Sequence, residues 1–181
     1  MNGFEYRGQL NGADNPVVRH VAIANSQAVA VGQAVQLEAI GSGGGCKAAA
    51  AGTEVLGIIV GIVNNDGIDL DNANTGTYDG TWTTSTRTYT AAADNMTDKK
   101  VRALVVVDKE SLFANDSAGD LALADEYKFF DLLSATQVAD QNGHDTGGAM
   151  LLVKVDPDST GDASVGLFKI AESELDAYAQ Q

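Results

Sequence analysis

An apolar run from Leu151 to Val155 leads directly into Asp156, Asp158, Thr160 and Gly161, in the stretch LLVKVDPDSTGD. Two carboxylates spaced this way after a strand could divide phosphoryl transfer between them. The first would attack phosphorus and the second would handle the leaving-group proton. Oxygen ligands at alternate positions are also what calcium requires. A third reading needs no ligand: Pro157 sets φ, Asp and Ser side chains bond to nearby backbone, and Gly161 accepts positive φ, which together make the turn of a hairpin.

Chain length and spacing weigh against the first two readings. The phosphoryl-transfer pattern resembles that of haloacid-dehalogenase-like phosphatases, which carry it on the first strand of a large parallel α/β domain. Only 25 residues follow Asp156, too few for the remaining catalytic lysine, metal ligands and sheet. A calcium loop of the EF-hand type needs a bidentate glutamate at its twelfth position, where Leu167 stands. An incidental cation at Asp156, Asp158 and Asp162, or at Asp66, Asp69 and Asp71, stays open. Apolar segments flank the acidic stretch on both sides, GAMLLVKV before it and SVGLFKIA after it, so the hairpin turn is the favoured reading.

His20, His144 and Cys46 are the remaining candidates for ligands or nucleophiles, and none has a partner at ligand spacing in the sequence. There is no P-loop lysine, nucleophile elbow or zinc spacing. The chain is therefore read as a non-enzyme with no cofactor and no dedicated metal site. Tyr78, Trp82 and Tyr89 lie among threonines and could form a flat face that stacks on sugars, although an oligomer contact or a hairpin tip is the favoured reading.

The 11 basic residues are outnumbered by 25 acidic ones, for a formal charge of −14. Such a surface repels a phosphate backbone, which argues against nucleic acid as a partner. A single cysteine excludes an intramolecular disulfide and suits folding in a reducing cytosol. No basic leader precedes the first strand, and the longest aliphatic run, VLGIIVGIV, is far too short to span a bilayer, so no membrane association is expected.

Residues 1–16 hold Gly3, Gly8, Gly12 and Pro16, with Phe4, Tyr6 and Leu10 between polar neighbours. Burial of three apolar side chains does not match the backbone entropy lost on ordering such a segment. The sequence predicts an arm that is disordered in the free protomer, with Phe4, Tyr6 and Leu10 as anchors on a neighbouring sheet edge. Residues 17–181 read as one β-rich domain, with an exposed hairpin or loop at about 64–100. Strands are predicted at VVRHVAIA, AVAVGQAVQLEAI, EVLGIIVGIV, TWTTSTRTYT, VRALVVV and the two segments around Asp156. Gly57 and Gly61 suggest bends or bulges. GDLALADEYKFFDLL predicts an internal helix around Leu121 to Leu133, and ESELDAYAQQ a short polar helix that closes the chain. The fold class is all-β: a small barrel or sandwich of short antiparallel strands with one or two short helices.

Three stretches together carry a family likeness. VAVGQAVQLEAIGSGGG followed by GTEVLGIIVGIV, and later VRALVVVDKESLFAND leading through a short apolar segment to DQNGHDTGG, resemble the capsid decoration (cement) proteins of tailed phages, in particular those of aquatic bacteria. The similarity is one of layout from Val17 to Ile170. It implies an all-β, often trimeric protein on the outer surface of an icosahedral head, assembled in the host cytoplasm, with the major capsid protein as partner. The alternative is a carbohydrate- or receptor-binding module of a phage fibre or head appendage, working through Tyr78, Trp82 and Tyr89.

Overall fold

A computed structural model describes residues 3–12, 15–38, 44–71, 79–98, 101–138, 148–156 and 164–171. The strands in chain order are β1 (Glu5–Gln9), β2 (Val18–Ala22), β3 (Ala28–Ala30), β4 (Ala34–Leu37), β5 (Cys46–Ala48), β6 (Gly57–Val63), β7 (Thr81–Thr83) and β8 (Thr88–Thr90). They continue as β9 (Arg102–Val106), β10 (Ser111–Asp116), β11 (Phe129–Phe130), β12 (Leu132–Ser134), β13 (Gln137–Val138), β14 (Met150–Val155) and β15 (Val165–Ile170). One helical turn, α1 (Asn95–Asp98), and one 3-10 turn, Leu123–Asp125, complete the described elements.

The all-β expectation holds, and its sandwich branch is the one that fits. A first sheet runs β1-β10-β15-β14-β11, a central sheet β2-β9-β6-β4-β5, and a third sheet β3-β8-β7, with β12-β13 as a separate ladder. Every ladder is antiparallel, and no described sheet closes on itself.

The central sheet contributes to two cores. Ala34, Ile58 and Val106 join Phe4, Phe113, Phe130, Met150, Leu152, Phe168 and Ile170 of the first sheet and its flank. Val35, Ile59, Ile62, Ala103 and Val105 join Val29 and Tyr89 of the third sheet, with Ile23, Cys46 and Val101. A strand covered on both faces needs a near-continuous apolar sequence instead of alternation, which is why β6 reads GIIVGIV. The glycine-bearing bulge predicted there exists: the β6–β9 register slips between Ile59 and Gly61. Its effect is to change phase. Ile59 and Ile62 are an odd number of residues apart, yet both enter the second core because the extra residue returns Ile62 to that face.

The predicted hairpin around Asp156 is present, with β14 and β15 paired from Met150↔Ile170 to Val155↔Gly166. Its turn, including Pro157, Asp158, Thr160, Gly161 and Asp162, lies outside the described residues, as do His144, Tyr78 and the predicted C-terminal helix.

Two expectations are corrected. Residues of the predicted free arm form β1, an edge strand paired with β10 of the same chain from Glu5↔Ala114 to Gln9↔Ser111. Phe4 is buried and Tyr6 half-buried, and both rings meet Phe113 edge-on, with centroids at 6.5 Å and 6.0 Å. Backbone pairing supplies what side-chain burial alone could not. Asp108 ties the junction down: its Oδ2 accepts hydrogen bonds from the Val17 amide at 2.6 Å and the Gln9 side chain at 3.2 Å.

The helix expected around Leu121 to Leu133 is the 3-10 turn followed by β11 and β12. The Asp125 carboxylate accepts from the Ala122 amide at 2.8 Å and from Lys128 at 3.0 Å, which caps the start of a helical turn. The turn goes no further because Glu126 leaves helical geometry at ψ 137° and Tyr127 takes φ 67°, with the Tyr127 amide bonded to the Leu152 carbonyl at 2.7 Å instead of within a helix. Beyond it, Phe130 and Leu132 are buried two residues apart, the spacing of a strand.

Candidate functional site

The residues singled out for chemistry do not converge. Asp156 sits at the exposed end of β14, beside an antiparallel neighbour, so it lacks the parallel sheet that a phosphatase of the resembled class would need. His20 is exposed on β2, whereas Cys46 is fully buried in the second core. In the loop after β6, Asp69 Oδ1 accepts the Asp71 amide and Asp71 is paired with Arg87, whose Nε lies 2.6 Å from its carboxylate. Among the described residues no cluster of His, Cys, Asp or Glu could hold a metal ion.

Burial pushes the Cys46 thiol up from its usual 9.0 to about 12. The thiol is therefore protonated and inaccessible at neutral pH and is no nucleophile. In the unfolded chain it ionises near its usual value. The stability tied to keeping it protonated is thus complete below pH 9.0 and is lost as pH rises from 9.0 to about 12. A thiol reagent is expected to leave the native protein unlabelled at pH 7 and to label it fully in denaturant. Cys46→Ala is expected to lose less stability than the parent between those two pH values in urea titrations.

The proposed aromatic face is also corrected. Trp82 and Tyr89 are brought directly opposite each other in the β7–β8 ladder. Tyr89, however, is fully buried in the second core, with its hydroxyl donating to the Asp79 carbonyl, and Trp82 is half-buried against the same cluster. The outward residues of the two strands of this hairpin are threonines. Of the three predicted arm anchors, Phe4 and Tyr6 face the first core and only Leu10 remains exposed, at 46%.

The surface features that sequence reasoning missed lie elsewhere. Leu123 and Tyr127 are 74% and 72% exposed, the most open large apolar side chains described. They stand on a loop that is tied at many points. The Tyr127 amide donates to the Leu152 carbonyl at 2.7 Å, the Leu152 amide to the Lys128 carbonyl at 3.0 Å, and the Val155 amide to Glu126 Oε1 at 3.2 Å. Tyr127 is held at φ 67°, a conformation uncommon for a residue with a side chain. A loop fixed in this way displays an aromatic outward with little backbone entropy left to lose on contact. Alternating strand pattern could not reveal it, because the segment carries a helix-like distribution of Leu and Ala.

The surface formed by the described residues includes two clefts. One of ≈ 330 Å³ opens on the outer face of the first sheet, with Ala114, Val165 and Leu167 beneath and Arg7, Lys154 and Asp156 at its rim. The other, of ≈ 250 Å³, lies between Gly3–Glu5, Val31–Gly32 and Ser85–Arg87. Comparison of the chain with family models, curated proteins and solved structures finds no match in any of the three.

Proposed function

We propose that this chain is a structural virion protein that binds the outer surface of an icosahedral phage head and clamps neighbouring capsid subunits. The observation that carries this reading is the layout, from Val17 to Ile170, that resembles head decoration proteins. The apolar display at Leu123 and Tyr127 is consistent with it, since such a surface suits docking on another protein more than enclosing a substrate. Repetition over a lattice lets a modest contact per copy suffice. The carbohydrate-binding alternative is weakened because Tyr89 is buried and cannot stack on a sugar.

The test is the copy number of this chain relative to the major shell protein in gradient-purified particles. A fixed stoichiometry on the order of hundreds of copies is expected for a lattice-wide clamp; a handful, or none, would overturn the reading. Tyr127→Ala is expected to weaken attachment to undecorated heads about tenfold or more, the scale of an aromatic anchor at an interface. Its melting temperature should match the parent's, because the side chain is 72% exposed. Unchanged occupancy would remove Tyr127 from the contact.

A further inference from the structure

The outer face of the first sheet carries the sequence pattern of a covered surface. Outward positions alternate with the core set Phe113, Phe168, Met150 and Leu152. They are Leu112 and Ala114 on β10, Val165 and Leu167 on β15, Leu151 on β14 and Phe129 on β11. An antiparallel sheet with one face in water is expected to be polar there. Here β14 reads MLLVKV, nearly as continuous as the doubly buried β6, yet Leu151, Leu167 and Val165 are only half-buried.

The charges on this face are arranged by row. The register puts Asp116 beside Val165, and the Asp156 amide bonds to the Val165 carbonyl, so one end of the face is acidic. Four residues further along β15 the opposite end carries Lys169, paired with Leu151. The middle row holds Lys154 and, at the β1 edge, Arg7 bonded to Glu5 at 2.9 Å. On a chain with a formal charge of −14 this is a locally balanced region, where a second acidic molecule can approach without net repulsion.

We propose that a second copy of this chain covers this face, in a twofold, face-to-face packing of the first sheets. An axis lying between the sheets and running across their strands reverses strand direction. It sets Lys169 of each copy over Asp116 and Asp156 of the other, so the charge pattern complements itself, and it stacks the apolar rows between them. The ≈ 330 Å³ cleft over Ala114 and Leu167 is then the recess that takes side chains from the opposing Lys169 row. The contact is independent of whether the chain sits on a shell, and it differs from the trimer that the family resemblance implies.

The test is the mass of the full chain in solution by sedimentation or light scattering at micromolar concentrations, with far-ultraviolet circular dichroism as the control for folding. Twice 18.7 kDa is expected. Leu167→Glu is expected to give the single-chain mass with an unchanged spectrum. Should that variant misfold, the charge series decides. Lys169→Glu and Asp116→Lys are each expected to weaken dimerisation about tenfold or more through like-charge contacts across the axis, and the double variant to restore it. A parent that is monomeric or trimeric, or charge variants whose effects merely add, would overturn the twofold contact.

Discussion

Phe113→Ala is expected to cost about 3–5 kcal/mol, the range for removing a large aromatic from a core. Few single changes should weigh more against a total stability of roughly 5–15 kcal/mol. The ring is fully buried, pairs across the sheet with Phe168, and receives both Phe4 and Tyr6 on its edges. Its loss leaves a cavity and also removes the common support of β1. Urea titration should give the loss of stability, and hydrogen exchange should show Glu5–Gln9 opening before the rest of the first sheet. Leu10→Ala, at an exposed position two residues past Gly8, is expected to change stability by no more than about 0.5 kcal/mol. Equal effects from the two substitutions would mean that the N-terminal strand is not held by this aromatic cluster.

Gly57→Ala is the second substitution expected to be severe, and its comparison with Gly61→Ala is the informative part. Both glycines lie in β6, and nothing in GIIVGIV distinguishes them. A Cβ at Gly57 would lie 2.2 Å from the Val106 carbonyl oxygen and 2.5 Å from Val105 Cγ1. A backbone atom of the paired central strand cannot withdraw without breaking the ladder, so the cost should be at or above the about 1–3 kcal/mol usual for overpacking. At Gly61 the nearest atom is Leu104 Cδ1 at 3.2 Å, the end of a flexible side chain beside a bulge. Gly61→Ala should therefore be tolerated with a loss below about 1 kcal/mol. Melting curves that rank the two the other way would mean that the bulge, not the close approach to Val106, is what demands glycine in this strand.

The parts of the fold legible in the sequence are those where a local pattern had one physical solution. GAMLLVKV, an acidic Pro- and Gly-bearing stretch and SVGLFKIA admit little but a hairpin, and β14 and β15 pair as one. The two-sided burial of β6 follows from its unbroken apolar run. Legibility failed where a single side chain or a distant partner decides the outcome. The Tyr127 amide and the Lys128 carbonyl bond to Leu152 of β14, and this tertiary pairing outweighs the helix propensity of the leucines and alanines around it. The N-terminal segment looked too sparse to order because its partner, Ser111–Asp116, is far away in the chain and cannot be weighed from local composition. Tyr89 sits among threonines that face water, and only the register opposite Trp82 and Val29 shows that its ring turns inward. Of the surface features, Tyr127 lies within a segment whose composition predicts a helix. The apolar outer face of the first sheet was already visible in MLLVKV, although periodicity alone cannot tell a doubly covered strand from one awaiting a partner.

The pairing of β1 with β10 also sets a timetable for synthesis. Glu5 leaves the ribosome about a hundred residues before its partner Ala114, and at about 5–20 residues per second that is a wait on the order of 5–20 s. During that interval Phe4 and Tyr6 have no aromatic neighbour, and the strand is an open template for any other nascent chain. β10 itself gains its second neighbour, β15, only when residues 165–170 appear. Of the described sheets, the first is thus the last to be completed. Expression at reduced translation speed would lengthen the exposure of its N-terminal strand, and aggregation during synthesis should rise accordingly even though the finished protein is unchanged.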